Sequence, residues 1–281
     1  MIAIAAFTVR QLIRQRFVIA AVLVTVVLAA LTDWGFYALR NAHGPNGRPI
    51  SQLELKATAS ILVILVAYLF SFILAAAATL VASPMLSSEI DSGVLLPVLA
   101  RPISRPAIVL GKAVGMSLVV VAYAAFASSL EFSLVRLATG YSPPHPAAAV
   151  CALATLVLVM LALTLALATR LTMIASSIVA FLCFGVAWVA GIVASLGPIY
   201  HNESLIRAGV ISQLLLPTDA MWRTVAYFLE PALVLSRAQA GLWSGPFLVA
   251  APPPISMQIW TGLWIVVIVG IAMRSFATRD V

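Results

Sequence analysis

Six long apolar runs constrain the fold of this chain more than any other feature. Each run reaches the roughly 20 residues that a helix needs to cross the hydrocarbon core of a bilayer. Because a backbone in hydrocarbon must satisfy its own hydrogen bonds, such runs predict transmembrane helices. Only 9% of the residues are charged, against about 25% in soluble proteins, so no soluble domain of ordinary size is expected.

The predicted spans are joined by connections of unequal length, the longest lying before the last span. They cover about 17–37, 58–83, 108–138, 147–169, 173–196 and 255–273. Lys and Arg collect on the cytoplasmic side of membrane proteins. With a cytoplasmic N-terminus, the inner segments hold more of these bases than the outer ones. We therefore expect one all-α domain over residues 1–281, multi-pass in the cell membrane, with both termini cytoplasmic.

The remaining composition excludes two classes of ligand. The net charge is +7, but the bases lie at the ends of apolar runs and form no patch interleaved with aromatic residues. Nucleic acid is therefore not expected as a partner. The three histidines are far apart in sequence and the two cysteines lie within apolar runs. Because neither type shows metal-ligand spacing, no metal site is predicted.

Residues 1–16 have the pattern of an amphipathic helix with a basic face. On a helical wheel Ile2 and Leu12 share the apolar side, whereas Arg10 and Arg14 share the polar side. A helix of this kind lies in the headgroup region of a membrane. Two alternatives are a plain basic flank of the first span and a signal peptide, although the apolar run that follows is longer than a signal peptide needs.

The segment 197–254 is too apolar for a free loop. Two amphipathic helical stretches within it are broken at Pro217 and Pro231. Thr218 is placed to cap the second helix. Trp222 combines an apolar ring with a polar edge, which suits the headgroup interface. We expect these stretches to form a re-entrant helical hairpin that roofs the outer face.

Three charged residues fall within the predicted spans, all towards their outer ends: Asp33, Glu131 and Arg136. Charges inside a membrane are costly and often functional, so each is a candidate polar site. For Glu131 the alternatives are contact with a transported substrate, pairing with a neighbouring helix, and contact with interfacial water.

Small residues recur at every fourth position on the second and fifth spans. They are Ser71, Ala75, Thr79 and Ser83 on the second span, and Ala187, Gly191 and Ser195 on the fifth. Such stripes let helix backbones approach closely, either within one bundle or between two chains. Packing within the bundle is the role that we expect.

The stretch "SSEIDSGVLLPVLARPISRPAIVLGKAVG" interrupts the apolar chain between the second and third spans. Pro84, just before it, is expected to end or kink the second span. Acids stand at one end of the stretch, and Arg101 and Arg105 stand in a proline-rich turn at the other. Such a segment makes either a docking surface for another protein or a connector whose arginines bind lipid headgroups.

This stretch resembles the signature region of type-2 ABC transporter permeases. That family shows an acidic turn, then G-T-L-x-x-L-L, then P-(V/I)-S-R, then an apolar step into G-K. The matching residues are Glu89, Gly93, Leu95, Leu96, Pro102, Ile103, Ser104, Arg105, Gly111 and Lys112. Val94 replaces the usual threonine, and Pro97 stands within the family's helix. The later stretch "LLPTDAMWR" is similar to the subgroup that includes the permease of nitrous-oxide reductase maturation.

The resemblance implies a non-catalytic permease subunit of an exporter-type complex. Segment 84–106 would be a cytoplasmic coupling helix. Its docking residues would be Glu89, Asp91, Gly93, Leu95, Leu96, Arg101, Ser104 and Arg105, and Gly111 and Lys112 would begin the third span. The implied partners are two ABC ATPase chains carrying ATP and Mg, a second permease chain (the same or different), and a possible periplasmic or extracellular partner.

The chain itself lacks a P-loop. Such a loop needs G-x-x-x-x-G-K-[ST], whereas Ala113 follows Lys112 and Pro106 stands where the first glycine belongs. A competing hypothesis is a stand-alone secondary transporter or channel, which would need charges near the membrane midplane and usually repeated halves. The sequence shows neither. A third hypothesis is a structural anchor for a membrane complex.

The charge bias gives a testable topology. In a background whose own cysteines are replaced by serine, Ser142→Cys is expected to react with impermeant thiol reagents in intact cells. Ser104→Cys is expected to react only after the membrane has been opened, because it lies on the cytoplasmic side. Labelling of the Ser104→Cys protein in intact cells would reverse the orientation.

Overall fold

Nine helices occur in the part of the chain that the computed structural model describes, residues 2–41, 52–91, 104–231, 249 and 251–278. In order they are α1 (Ile2–Ile13), α2 (Arg16–Arg40), α3 (Gln52–Asp91), α4 (Arg105–Thr139), α5 (Pro146–Ala168), α6 (Met173–Leu196), α7 (Glu203–Leu215), α8 (Thr218–Leu229) and α9 (Ile255–Ala277). No strand occurs among these residues. Six helices, α2 to α6 and α9, are long and apolar enough to cross a membrane. The predicted all-α membrane fold with six spans is confirmed.

Helix α5 lies at the centre of the bundle. It packs against α3, α4, α6, α8 and α9. Its sequence is apolar on every face, which is typical of a helix surrounded by protein. In its most apolar stretch 61% of the residues are buried, compared with 17% for α2 and for α9. Four other spans, α3, α4, α6 and α9, therefore pack around α5, whereas α2 packs on α3 and α4. Helices α2 and α9 present most of their surface to the outside.

Helix α3 continues through Pro84 to Asp91. Of the two expectations for Pro84, an end or a kink of the second span, the end is therefore wrong. Proline removes the hydrogen bond to the carbonyl of Leu80, but contacts on both sides hold this part of the helix in place. Ser83 Oγ lies 2.7 Å from Ser176 Oγ, and Ser87 Oγ donates at 3.1 Å to the carbonyl oxygen of Ala168.

These contacts define one end of the bundle, which we call the base. It comprises the turn 168–176 together with the adjoining ends of α3, α4 and α9. The opposite end, which we call the top, comprises α7, α8 and the turn 140–145. The two ends are described separately below because they carry different candidate functions.

The small-residue stripes pack inside the chain, as predicted, except that Ser195 of α6 is only half-buried. Ser71, Ala75, Thr79 and Ser83 of α3 are each at most 2% exposed. Ala187 and Gly191 of α6 are also buried. Because small side chains keep helix axes close, these stripes allow α3 and α6 to approach each other and α8.

Helix α1 packs directly on α4 at Gly115. A Cβ atom at Gly115 would lie 2.7 Å from the carbonyl oxygen of Ala5 and 2.8 Å from Thr8 Cβ. Thr8 and Leu12 are buried in this contact region, whereas Ile2 is 89% exposed. The polar side of the helical wheel is expected to include Thr8 as well as Arg10 and Arg14, but Thr8 lies on the buried face, where its hydroxyl donates to the carbonyl of Ile4 at 2.9 Å.

This close approach predicts that Gly115→Ala destabilises the protein. Alanine favours a helix over glycine by up to about 1 kcal/mol, but here its methyl group would overlap the backbone of α1, and overpacking costs about 1–3 kcal/mol. Gly185→Ala and Gly262→Ala are matched controls, because a Cβ at either position meets nothing within 4 Å. We expect a lower thermal unfolding midpoint for Gly115→Ala and unchanged or higher midpoints for the controls. A rise for all three variants would contradict the close packing of α1.

Candidate functional site

The predicted coupling segment 84–106 is only partly described. Gly93, Leu95, Leu96 and Arg101 lie outside the described residues, as do the side chains of Glu89 and Asp91 in the last turn of α3. Ser104 occupies the N-cap position of α4 without making a side-chain cap, and it is exposed. Arg105 is the first residue of α4, followed by Pro106, whose missing N–H is tolerated in a first turn.

Lys112 joins the two helices that carry this segment. It is only 6% exposed, and its Nζ donates at 2.6 Å to the carbonyl oxygen of Met85 in α3. A buried ammonium group is costly unless its donors are satisfied. The contact therefore bonds the start of α4 to the last turns of α3, close to the ends from which the coupling segment extends.

The turn between α5 and α6 connects the same region to two further helices. Ser87 of α3 donates to the carbonyls of Ala168 and Leu171, each at 3.1 Å. Arg170 Nε donates at 2.9 Å to Ser275 Oγ near the end of α9, and its Nη2 donates at 2.9 Å to Thr278 Oγ1. The base is thus a hydrogen-bonded unit that contains parts of five spans: α3, α4, α5, α6 and α9.

The three charged residues predicted within the spans do not form one site. Glu131 of α4 lies against Thr32 and Asp33 of α2. One of its carboxylate oxygens, Oε1, is buried and has no hydrogen-bond partner among the described residues. Arg136 lies apart from this pair, in a groove between α4 and α5. The structure therefore brings Glu131 and Asp33 together and leaves Arg136 separate.

The top is built from the helices α7 and α8, which occupy the two stretches predicted to be helical. Asn202 caps α7, with its Oδ1 accepting from the N–H of Ser204 at 2.9 Å. The predicted cap at Thr218 is wrong, because Pro217 takes the N-cap position and Thr218 is the first helical residue, 2% exposed. Thr218 is instead buried, so its hydroxyl is not placed as a cap.

Trp222 also departs from expectation. It is 5% exposed, and its ring lies 4.7 Å from the ring of Tyr68 on α3. The ring of Trp188 on α6 also packs on Tyr68, at a centroid distance of 5.9 Å. The amphipathic face of α8 therefore packs on protein, with Trp222 in an aromatic cluster inside the bundle and not at a lipid interface. This packing joins α8 to α3 and α6.

A partly buried ion pair holds α8 against α6. Arg223 Nε donates at 2.8 Å to Asp219 Oδ2, and the same oxygen accepts from Gln213 Nε2 of α7 at 2.7 Å. Arg223 Nη2 donates at 2.9 Å to the carbonyl oxygen of Gly191 on α6. A side chain at position 191 would overlap the Asp219 carboxylate, so glycine is required there. Sequence analysis missed this pair, although acid and base spaced by four residues on a helix are a recognisable signal.

Helix α9 is joined to the end of α7 through two tryptophans. Trp260 Nε1 donates at 3.1 Å to the carbonyl of Leu214, and Trp264 Nε1 donates at 2.9 Å to the carbonyl of Leu215. These are the last two carbonyls of α7, which have no partner within their own helix. The last span therefore contacts the connection between α7 and α8.

Glu230 directly follows α8 and is buried, with 3% exposure. Its Oε1 accepts from the N–H of Val249 at 2.7 Å. Its Oε2 has no partner among the described residues. Burial raises the pKa of Glu230 to about 7, and the hydrogen bond from Val249 partly opposes that rise. Tyr141 packs against the same helix end, where its hydroxyl donates at 2.9 Å to the carbonyl of Leu229; burial raises its pKa to about 12.

Comparison with protein families identifies the chain. The family described as ABC-2 family transporter protein matches residues 2–281. The chain belongs to the ABC-2 transporter family. Membership makes this ABC-2 chain a multi-pass membrane permease component of an ABC transporter, and it implies partnership with an ABC ATPase subunit. A comparison with curated proteins gave no match.

The ion pair at the top of the ABC-2 chain predicts a large effect of Asp219→Asn. The substitution leaves Arg223 without its counter-charge in a site where Asp219 is 9% and Arg223 23% exposed. Breaking a buried pair costs about 3–5 kcal/mol, and partial exposure of Arg223 lowers our expectation to about 2–4 kcal/mol. The control is Glu203→Gln, which breaks the exposed pair with Arg207 at the same spacing and should cost less than about 0.5 kcal/mol. The free energy of unfolding of each variant is measured in denaturant. Equal losses for the two variants would contradict the role of Asp219.

The raised pKa of Glu230 predicts a pH-dependent stability. The folded ABC-2 chain holds this proton more tightly than the unfolded chain does. The resulting stability is therefore present at low pH and is lost as the pH rises from the ordinary value near 4.5 to about 7. Glu230→Gln keeps an acceptor for Val249 and removes the titration. We expect the variant to match the wild type at about pH 5 and to have a higher thermal midpoint at about pH 8. If the thermal midpoints of the two proteins changed with pH in parallel, the contribution of Glu230 to the pH dependence would be refuted.

Proposed function

We propose that this chain couples ATP hydrolysis on separate ATPase subunits to export or to a conformational signal across the membrane. The observation that carries the proposal is the bonded base, where Lys112, Ser83 and Ser87 tie the two helices flanking segment 84–106 to the rest of the bundle. A displacement of that segment would therefore be transmitted through these hydrogen bonds to the whole base.

The proposed mechanism is a rigid-body movement. Two ATPase chains, carrying ATP and Mg, dock below the membrane and close on nucleotide. The acids Glu89 and Asp91 and the bases Arg101 and Arg105 contact them, and α3 and α4 move together because Lys112 bonds α4 to α3. Such transitions switch between discrete packed arrangements, since packed cores do not deform continuously.

The bundle also supplies a route from the base to the top. Helix α3 runs from its bonds at Ser83 and Ser87 to Tyr68, which packs on Trp222 of α8. Helix α6 runs from Ser176 at the base to Gly191, which accepts from Arg223 of α8. Movement of the base would therefore shift the α7–α8 hairpin, which we propose to roof the transport path on the outer face.

The proposal includes an orientation and an assembly. Both termini and the base are cytoplasmic, and α1 lies in the headgroup layer of the inner leaflet. A second permease chain, identical or related, completes the path across the membrane. Nucleotide binds the partner ATPases, because this sequence has no P-loop.

The docking role predicts that Glu89→Arg weakens association with the cognate ATPase subunit. The ATPase is expected to present a basic residue to the Glu89 carboxylate, and the new arginine would repel it. Loss of one member of a desolvated charge pair costs about 2–5 kcal/mol. Glu203→Arg is the control, because Glu203 is 80% exposed at the top, away from the base. Co-purification yield and ATPase activity of the complex are the measurements. Wild-type values for Glu89→Arg would show that Glu89 does not dock the ATPase.

A further inference from the structure

A groove of about 470 Å³ lies between the end of α4 and the start of α5, at the top of the bundle. One part of it is polar and is lined by Arg136, Ser133 and Ser142. The other part is apolar and is lined by Phe132, Val150 and the thiol-bearing Cys151. Nothing in the coupling mechanism uses this groove, which lies on the opposite end of the bundle from segment 84–106.

Arg136 gives the groove a positive charge. It is exposed, and its guanidinium makes no hydrogen bond or ion pair with any residue that the structure describes. The nearby hydroxyl of Ser133 is already committed to the carbonyl of Ser129 at 2.7 Å. An arginine at the edge of the hydrocarbon that lacks a protein partner is suited to an oxyanion, above all to phosphate, which its planar donors fit in pairs.

The opposite wall adds to the positive potential. Helix α5 begins there at Pro146, its N-cap residue His145 makes no side-chain cap, and its first turn contains no acid. The free N–H groups and the dipole of a helix N-terminus favour negative charge nearby. This helix end is no site in itself, but it raises the potential at the position that Arg136 already makes favourable for an anion.

The apolar part of the groove determines the rest of the ligand. Phe132, one helical turn before Arg136 on α4, and Val150 of α5 line this part of the groove. A soluble anion would leave this surface uncovered, whereas a hydrocarbon chain would cover it. The ligand therefore has an anionic phosphate at one end and hydrocarbon at the other.

We propose that the α4–α5 groove binds one anionic phospholipid of the surrounding leaflet. The phosphate lies on Arg136, and one acyl chain follows Phe132 and Val150. Selectivity arises because a zwitterionic headgroup carries its own cation beside the phosphate and so gains less from Arg136. The groove would then hold α4 and α5 to a particular lipid at the top of the bundle, independently of how the base engages an ATPase.

The two native cysteines allow a direct test. Cys151 lines the groove, whereas Cys183 lies on α6, and both are exposed. Bimane is attached to Cys151 in a Cys183→Ser chain, and to Cys183 in a Cys151→Ser chain. Each full-length protein is placed in bilayers containing phosphatidylglycerol or phosphatidylcholine brominated on its acyl chains. The brominated acyl chains quench the fluorescence of a nearby bimane. The extent of quenching then gives the relative binding of the two lipids beside each label.

We expect phosphatidylglycerol to bind beside Cys151 about fivefold more tightly than phosphatidylcholine, the factor that one arginine near an anionic headgroup supplies. Arg136→Gln should bring that ratio to about one, whereas Arg207→Gln, at another exposed site of the top, should leave it unchanged. The ratio at Cys183 should be near one. Equal binding of both lipids beside Cys151, or an unchanged preference in Arg136→Gln, would overturn the proposal.

A competition arm separates the lipid from a free anion of the same chemistry. Millimolar inorganic phosphate, added at constant ionic strength, should leave the preference beside Cys151 unchanged because it cannot replace the acyl-chain contacts. Loss of the preference would show that the groove binds a soluble phosphate, which would overturn the assignment to a lipid.

Discussion

The last carbonyls of a helix have no partner within that helix, and in a membrane no water is available to replace one. In this chain, side chains from other elements meet these carbonyls at the ends of four helices. The pairs are Ser87 with Ala168 of α5, Trp260 with Leu214 and Trp264 with Leu215 of α7, Tyr141 with Leu229 of α8, and Arg170 with Ser275 of α9. Each donor satisfies one of these carbonyls and fixes where one helix ends against another.

These pairs lie at the two ends of the bundle, as do most directional contacts between the described helices. In the middle, Thr25 of α2 and Tyr123 of α4 are an exception, with their hydroxyl oxygens 2.6 Å apart. Between the two ends, α5 is surrounded by apolar side chains and by the small residues of α3 and α6. Apolar packing between helices in lipid lacks the driving force that it has in water, so close fit and hydrogen bonds carry more of the specificity. The ends therefore set the register of the helices, while the middle allows them to approach. A permease that changes shape needs both properties, because firm ends transmit a displacement and a smooth middle lets helices slide.

The number and type of helices could be predicted from sequence because hydrocarbon leaves the backbone few alternatives. Local signals failed where tertiary contacts opposed them. Pro84 marks a helix end by its chemistry, yet the flanking serines hold α3 in place through the turn 168–176. Trp222 suits a lipid interface by its composition, but its neighbours on α3 and α6 are aromatic and bury it. Glu230 gives no sequence signal at all, since its partner Val249 is brought near only by the fold.

The length of α3 has a consequence for how this chain can vary. Forty residues of helix extend about 60 Å, twice the hydrocarbon thickness. A residue inserted into a loop changes only the loop, but one inserted into α3 between Tyr68 and Ser83 would turn everything beyond it by about 100°. The serines of the base would then face away from turn 168–176 while Tyr68 still faced α8. The rotational register of α3 between these two points must therefore be kept, and changes of length are expected in the connections and not within the helix.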